Sequence, residues 1–262
     1  MNLSAAAIVL RERSSLEVTD LSLRFVRSLA PLSYARLAAC VLLPAYAACL
    51  TLRYALDVEW GWVWLAAFGL CFFLQAPFTV LSGKLLFADD PSVLEVLGAS
   101  LRRAPVLVFF FVVRLALIAL SAVTLIGPFV VLVYYAFLDE VVLLESAGAR
   151  SALSRSRRFV RGRSGAAVEM LLLVGCLYGL SVTLSELLGM ALMDFVFEID
   201  RPYETLADDE GSIFSLAGLF AMVPLATTLR FLFYVNERTL RDGWDVQVRF
   251  LGLRDALEKR GV

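Results

Sequence analysis

Residues 106–146, VLVFFFVVRLALIALSAVTLIGPFVVLVYYAFLDEVVLLES, decide the fold because two apolar runs flank the dipeptide Gly127-Pro128. About 20 apolar residues cross the hydrocarbon core of a bilayer as a helix, and Gly-Pro is typical of a turn. This stretch therefore predicts two membrane-spanning helices joined by a short turn. The chain has six apolar runs of this kind, near 35–56, 60–82, 106–125, 128–146, 166–191 and 213–235.

Composition places the whole chain in the membrane class. Hydrophobic residues make up 60% of the 262 residues, and the mean hydropathy is +0.78, both far above soluble domains. Six spans leave little sequence for anything else, so residues 1–262 are predicted to form a single all-α membrane domain. Arginine outnumbers lysine by 22 to 2, which is typical of a GC-rich bacterial genome.

The basic residues outside the apolar runs lie almost entirely on one side of the predicted membrane. Segments 1–34, 83–105, 147–165 and 236–262 hold 19 lysines and arginines, whereas the segments on the other side hold only Arg201. Lysine and arginine concentrate in cytoplasmic segments of membrane proteins. The pattern predicts a multi-pass protein of the bacterial inner membrane with both termini in the cytoplasm.

Three arginine-bearing segments each precede two spans, and we call them the first (21–31), second (96–105) and third (152–162) basic segments. They divide the chain into pseudo-repeats near 15–82, 90–147 and 150–240, followed by an amphipathic tail at 236–262. Each segment predicts a short amphipathic helix in the membrane interface ahead of a helical hairpin, and prolines at 31 and 105 should end the first two. Basic loops that only satisfy topology are the alternative.

Arginines in these segments are the candidate contacts for anionic lipid headgroups or for partner proteins. Membrane lipids, other membrane or cytoplasmic subunits and a second copy of the chain are the expected partners, and nucleic acid is not expected at this hydropathy. The candidates are Arg24, Arg27, Arg102, Arg103, Arg155, Arg157, Arg158 and Arg161.

Ionisable residues inside the apolar runs predict contacts between spans. Arg114 lies about twelve residues before the Gly127 turn and Asp139 about twelve after it, so antiparallel helices bring them to one depth. We predict that Arg114 pairs with Asp139 or Glu140. The pair either fixes the register of the two helices or belongs to a proton or substrate pathway.

Two further predictions concern the last two spans. Glu169 and Arg230 lie at matching depths and are expected to pair. Glu186 has no obvious cation and is the candidate for a polar cavity, with nearby Ser and Thr residues as hydrogen-bond partners. The acidic connection 194–211 is interpreted as a solvated loop, with partner docking or cation binding as alternatives.

The usual catalytic motifs are not found in the sequence. It contains no histidine, its four cysteines form no Cys-x-x-Cys pair, and it has no Gly-rich phosphate loop or Gly-x-Ser-x-Gly motif. We therefore predict a protein that is not an enzyme and that has no catalytic residues, cofactor or metal site. A hydrolase that uses only carboxylates is the least favoured alternative.

The third basic segment resembles a motif of a broad bacterial membrane family that includes the membrane domain of some glycerophosphodiester phosphodiesterases. The family motif, E…ALxRSxxLxxG, is similar to Glu145, Ala152-Leu153, Arg155-Ser156, Arg157, Phe159, Arg161 and Gly162. Residues 233–246 resemble the family's C-terminal motif, and residues 15–27 fit its opening. Arg163-Ser164 replaces the usual aromatic pair.

The resemblance implies a multi-pass fold but no phosphodiester hydrolysis, because no catalytic domain of that kind is present. Stand-alone members look like subunits of larger envelope machinery. The expected function is therefore a membrane subunit or scaffold of a bacterial envelope complex, with a basic cytoplasmic face that binds lipid headgroups and proteins. The alternative is a transporter or lipid-handling permease with a polar site inside the membrane.

Overall fold

A computed structural model describes residues 13–86, 91–145, 149–161, 164–197 and 204–242, and these residues contain helices but no strand. Short π-helical turns extend α1 over Phe25–Leu29 and α8 over Leu192–Val196. The α-helices are α1 (Ser15–Arg24), α2 (Pro31–Tyr54), α3 (Trp60–Leu85), α4 (Val93–Ser121), α5 (Gly127–Tyr134), α6 (Leu138–Leu144), α7 (Ala149–Val160), α8 (Ser164–Ala191) and α9 (Ile213–Asp242).

Six segments are long and apolar enough to cross a membrane, which confirms the predicted number of spans by length and composition. Five are single helices, and α5 and α6 together form the fourth, Gly127–Leu144. In the most apolar part of α9, 72% of the residues are buried, against 11% in α4 and in α8. The last span therefore lies at the centre of the bundle, and α4 and α8 leave most of their surface uncovered by the rest of the described chain.

Hydrogen bonds fix the direction of the central helices. Tyr34, near the start of α2, contacts Ser82 of α3 at 2.8 Å and Thr228 of α9 at 2.9 Å. At the other end of α2, Tyr46 donates to the carbonyl oxygen of Ile213 at 3.0 Å. Helix α2 therefore runs antiparallel to α9, and it is also antiparallel to α3, because Arg53 near its end lies over the ring of Trp60 at the start of α3. We call the end that holds α1, α7 and the start of α2 the basic end, and the opposite end the acidic end.

The first basic segment forms a separate helix, as predicted. Ser14 caps α1 by accepting a hydrogen bond from the Glu17 N–H, and the chain breaks at Ala30 before Pro31 starts α2. Val18 and Phe25 are buried in the core beneath α1. This helix is attached to the end of α9, where the Arg13 N–H donates to Asn236 at 3.0 Å.

The second basic segment corrects the sequence prediction, because Pro105 does not end a helix there. Helix α4 starts after Ser92, which accepts a hydrogen bond from the Glu95 N–H, and continues without interruption to Ser121. Membrane helices tolerate an internal proline when neighbouring groups satisfy the freed carbonyl. Arg102 and Arg103 therefore lie on the first turns of a span and not on a separate interfacial helix.

The third basic segment forms the separate helix α7, and the fourth span beside it is broken. The span was predicted to be one helix, but α5 ends at Tyr134 and α6 begins at Leu138. Arg230 donates to the freed carbonyl oxygen of Ala136 at 3.1 Å, and Ser156 of α7 donates to that of Tyr134 at 3.4 Å. These side chains supply the partners that an interrupted membrane helix requires. The predicted tail continues α9 to Asp242, and the rest of it lies outside the described residues.

Candidate functional site

The predicted ion pair inside the membrane is present. Arg114 of α4 donates to both oxygens of Asp139 at the start of α6, at 2.9 and 3.3 Å. This two-point contact matches the planar fork of a guanidinium to a carboxylate. The Phe72 ring lies 5.2 Å from the same guanidinium carbon, a distance typical of a cation–π contact. Counting residues on either side of a short turn was sufficient to predict this pair.

Arg230 joins the same site from α9, so four charges lie together at the break in the fourth span. Its Nη2 atom is 3.1 Å from Asp139 Oδ2 and 3.1 Å from Glu140 Oε1. Its Nη1 atom donates to the amide oxygen of Gln75 on α3. We call Arg114, Asp139, Glu140 and Arg230 the four-charge cluster. It is formally neutral, and Glu140 is only 1% exposed.

The predicted pairing of Glu169 with Arg230 is wrong. Arg230 turns toward α3 and α6, whereas Glu169 is exposed on α8 and borders a cavity of about 700 Å³ between α1, α8 and α9. Glu17 of α1 and Asn236 of α9 line the same cavity. Equal depth in two helices fixes the height of their side chains but not the direction in which they point, and depth was the only basis of the prediction.

Glu186 is buried, but it is a hydrogen-bonded anchor for the acidic connection and does not line a described cavity. The Leu206 N–H donates to Glu186 Oε1 at 2.9 Å, and the Ser212 hydroxyl donates to its other oxygen. The expected serine and threonine partners bond elsewhere: Ser181 donates to the carbonyl oxygen of Gly218 at 2.8 Å, and Thr183 bonds within its own helix. The connection folds back over the helix ends, which the sequence did not indicate.

Glu204 ties the same connection to α2. The Arg53 guanidinium contacts one of its carboxylate oxygens, and the Tyr54 hydroxyl donates to the other at 2.7 Å. Burial raises the pKa of Glu204, but the hydrogen bonds from Arg53 and Tyr54 outweigh burial and hold the pKa below its ordinary value. The described part of this connection therefore covers the acidic end. Among the described residues, no group of three acidic or cysteine side chains is arranged to hold a metal ion.

Two of the candidate arginines on α7 contact residues of, or next to, the broken span. Arg155 forms an ion pair with the buried Glu145, which also accepts a hydrogen bond from the Tyr234 hydroxyl at 2.5 Å. Arg157 donates to the Tyr135 hydroxyl at 2.9 Å and lies over the same ring. Both side chains fasten α7 to the broken span, but Arg157 is exposed and Arg155 partly so, and their contact with lipid or a partner stays a prediction.

The other candidate arginines are exposed, except Arg103, which is half-buried. Arg24 pairs with Asp20 one helical turn away, and both side chains are largely exposed, so this pair contributes little. The rest form no ion pair with a carboxylate in the described part of the chain. These are Arg27, Arg102, Arg103, Arg158 and Arg161.

Comparisons with known proteins do not assign the chain to a family. No protein-family model, no curated protein and no solved structure matches the chain. The resemblance to the membrane domain of glycerophosphodiester phosphodiesterases therefore stays a prediction.

Proposed function

We propose that this chain is a non-enzymatic integral membrane subunit or scaffold of a bacterial envelope complex. In this proposal the six spans form three hairpins in the inner membrane, the basic end and both termini are cytoplasmic, and α1 and α7 lie in the interface. The exposed arginines of the basic end bind anionic lipid headgroups and partner proteins. Positive charge on cytoplasmic segments supports this orientation.

The observation that supports the proposal is that exposed arginines lie next to exposed leucines. Arg24 and Arg27 lie within about one helical turn of Leu23, which is 51% exposed, and Arg102 follows Leu101, which is 72% exposed. Apolar side chains that enter the acyl region next to cations at headgroup level are typical of an interfacial surface. Each such arginine contributes about 1 kcal/mol of attraction to an anionic leaflet.

The site inside the membrane supports a structural role more than a chemical one. Each carboxylate of the four-charge cluster contacts at least one guanidinium, and the formal charges cancel. A cluster satisfied in this way holds α4, α6 and α9 together. It leaves neither an uncompensated charge for a transported ion nor a carboxylate placed beside a nucleophile.

A transporter or lipid-handling permease is the second candidate, and the break in the fourth span favours it. Interrupted helices with charged residues near mid-membrane form the binding sites of many transporters. A cysteine at Ala136, in a variant without the four native cysteines, tests whether water reaches the break. Reaction with a membrane-impermeant maleimide would favour transport, and protection would favour the scaffold.

The scaffold proposal is tested by neutralising exposed arginines and measuring what purifies with the protein. We expect Arg102→Gln, Arg103→Gln and Arg158→Gln together to lower the recovery of anionic phospholipid and of cross-linked proteins several-fold. The matched control is Lys84→Gln, because Lys84 already has an acidic neighbour in Glu95 at 3.4 Å. Equal recovery from the triple variant and the wild type would refute the proposal.

A further inference from the structure

A lateral groove of about 320 Å³ lies between α5, α7 and α8 near the basic end. This volume falls at the lower end of the range for ligand pockets, roughly 300–1,000 Å³. The groove is distinct from the four-charge cluster and from the cavity beside α1. It is lined by Phe129, Val130, Val133, Tyr134, Val160, Arg161, Ser164 and Val168.

The walls of the groove suit a hydrocarbon chain. Val133 and Val160 are buried and form its floor, whereas Phe129 and Val130 are 41% and 42% exposed along its edge. Phe129, Val130 and Val133 belong to the fourth span, and Val168 belongs to the fifth. Because the exposed edge of the groove belongs to a candidate membrane-spanning segment, the groove faces acyl chains in the proposed orientation.

One end of the groove is polar and positively charged. Arg161, directly after α7, is exposed and forms no ion pair with a described carboxylate. Arg241 donates to the carbonyl oxygens of both Arg158 and Arg161 and places a second guanidinium close to this end, although Glu237 pairs with it at 3.5 Å. The hydroxyl groups of Ser164 and Tyr134 belong to residues that line the groove. Arg161 immediately precedes the fifth span, which starts at Ser164, and arginine at the start of a span is typical of the headgroup level.

We propose that the groove binds one anionic phospholipid, with one acyl chain between α5 and α8 and the phosphate against Arg161. The inference deepens the proposed function by giving its basic end a defined lipid site. Charge complementarity selects an anionic headgroup, and the apolar floor selects a chain. A free phosphate would leave the floor empty, and a soluble peptide would not reach a surface that faces hydrocarbon.

Native mass spectrometry of the full-length protein in mild detergent, titrated with phosphatidylglycerol or phosphatidylcholine, tests the site. The wild type should retain one phosphatidylglycerol more strongly than phosphatidylcholine. Arg161→Gln should weaken this retention about fivefold. Val130→Trp should fill the groove and reduce retention to the phosphatidylcholine level. Leu132→Trp is the matched control on the same helix, because Leu132 is 38% exposed but does not line the groove.

The outcomes distinguish the groove proposal from the proposed function, in which the basic end as a whole binds lipid and partner proteins. The groove proposal is overturned if Val130→Trp and Leu132→Trp lower retention alike, or if Arg161→Gln and Arg102→Gln both lose lipid and to the same extent. In either case the basic end as a whole still binds lipid, and the proposed function stands. If neither arginine variant changes retention, both proposals fail.

A photo-reactive benzoylphenylalanine at Tyr134 keeps the test independent of the bulky variant. We expect a covalent phosphatidylglycerol adduct in the otherwise native protein, and its loss when Arg161→Gln is added. No adduct, or an adduct unaffected by Arg161→Gln, would overturn the groove as an anionic lipid site.

Discussion

Substitution of Arg230 with methionine tests the four-charge cluster directly. The change removes the contacts of Arg230 to Asp139, Glu140, Gln75 and the Ala136 carbonyl while keeping a long apolar side chain. Asp139 keeps Arg114, but Glu140 loses its guanidinium and stays almost fully buried. Removing one partner of a buried ion pair costs about 3–5 kcal/mol, because it leaves an uncompensated charge.

The double variant Arg230→Met/Glu140→Met isolates this cause. It removes the stranded carboxylate together with its cation, so the remaining pair Arg114–Asp139 is again neutral. Apolar replacement of a whole buried pair is often neutral or stabilising. We expect the double variant to recover most of the loss, minus about 1–3 kcal/mol for the Ala136 carbonyl that no longer has a donor.

Unfolding by sodium dodecyl sulfate in mixed micelles, followed by circular dichroism, measures these free energies of unfolding. Arg102→Met is the control, because an exposed arginine should change stability by no more than about 0.5 kcal/mol. The reasoning is refuted if the Arg230→Met protein is as stable as the wild type, or if the double variant is less stable than the single one.

Three further variants test other contacts. The pKa of Glu204 is lowered in the folded protein, so its carboxylate stabilises the fold at pH values above the unfolded-state pKa of about 4.3. This stabilisation is lost as the pH falls through the folded-state pKa. Glu204→Gln should therefore make the free energy of unfolding depend less on pH in the acid range. Gly218→Ala should cost about 1–3 kcal/mol, because a Cβ would lie 2.6 Å from a carbonyl oxygen of α8, whereas Gly175→Ala meets open space and should cost nothing. Arg155→Gln should lower the thermal midpoint, and Arg158→Gln should not.

The sequence predicted those features that depend on position along a helix and missed those that depend on rotation about it. Arg114 and Asp139 lie on opposite sides of one short turn, so counting residues gave their common depth. Glu169 and Arg230 also share a depth, but Arg230 faces α3 and α6 in the structure. The direction of a side chain in a nearly all-apolar helix comes from packing, and helices α3 and α8 lack the polar face that would reveal it.

The positions at which the helices break could not be predicted from the local sequence either. Pro105 was expected to end a helix, yet α4 continues through it, whereas the apolar stretch around Ala136 shows no breaking residue and is interrupted. The interruption depends on donors from α7 and α9 that are distant in sequence. Gln75 was a clue that could have been used, because it is a polar side chain in the middle of an apolar run.

Helix α7 carries arginines of two kinds that look identical in sequence. Arg155 and Arg157 bind Glu145 and Tyr135, so they hold α7 against the broken span, whereas Arg158 and Arg161 remain at the surface. Ser156 of the same helix satisfies a carbonyl freed by the break. Reversing all these charges together would therefore unfold the attachment of α7 and remove its surface charge at once. Only the separate neutralisation of Arg158 and Arg161 can show whether this surface binds lipid, because Arg155 and Arg157 also hold α7 against the broken span.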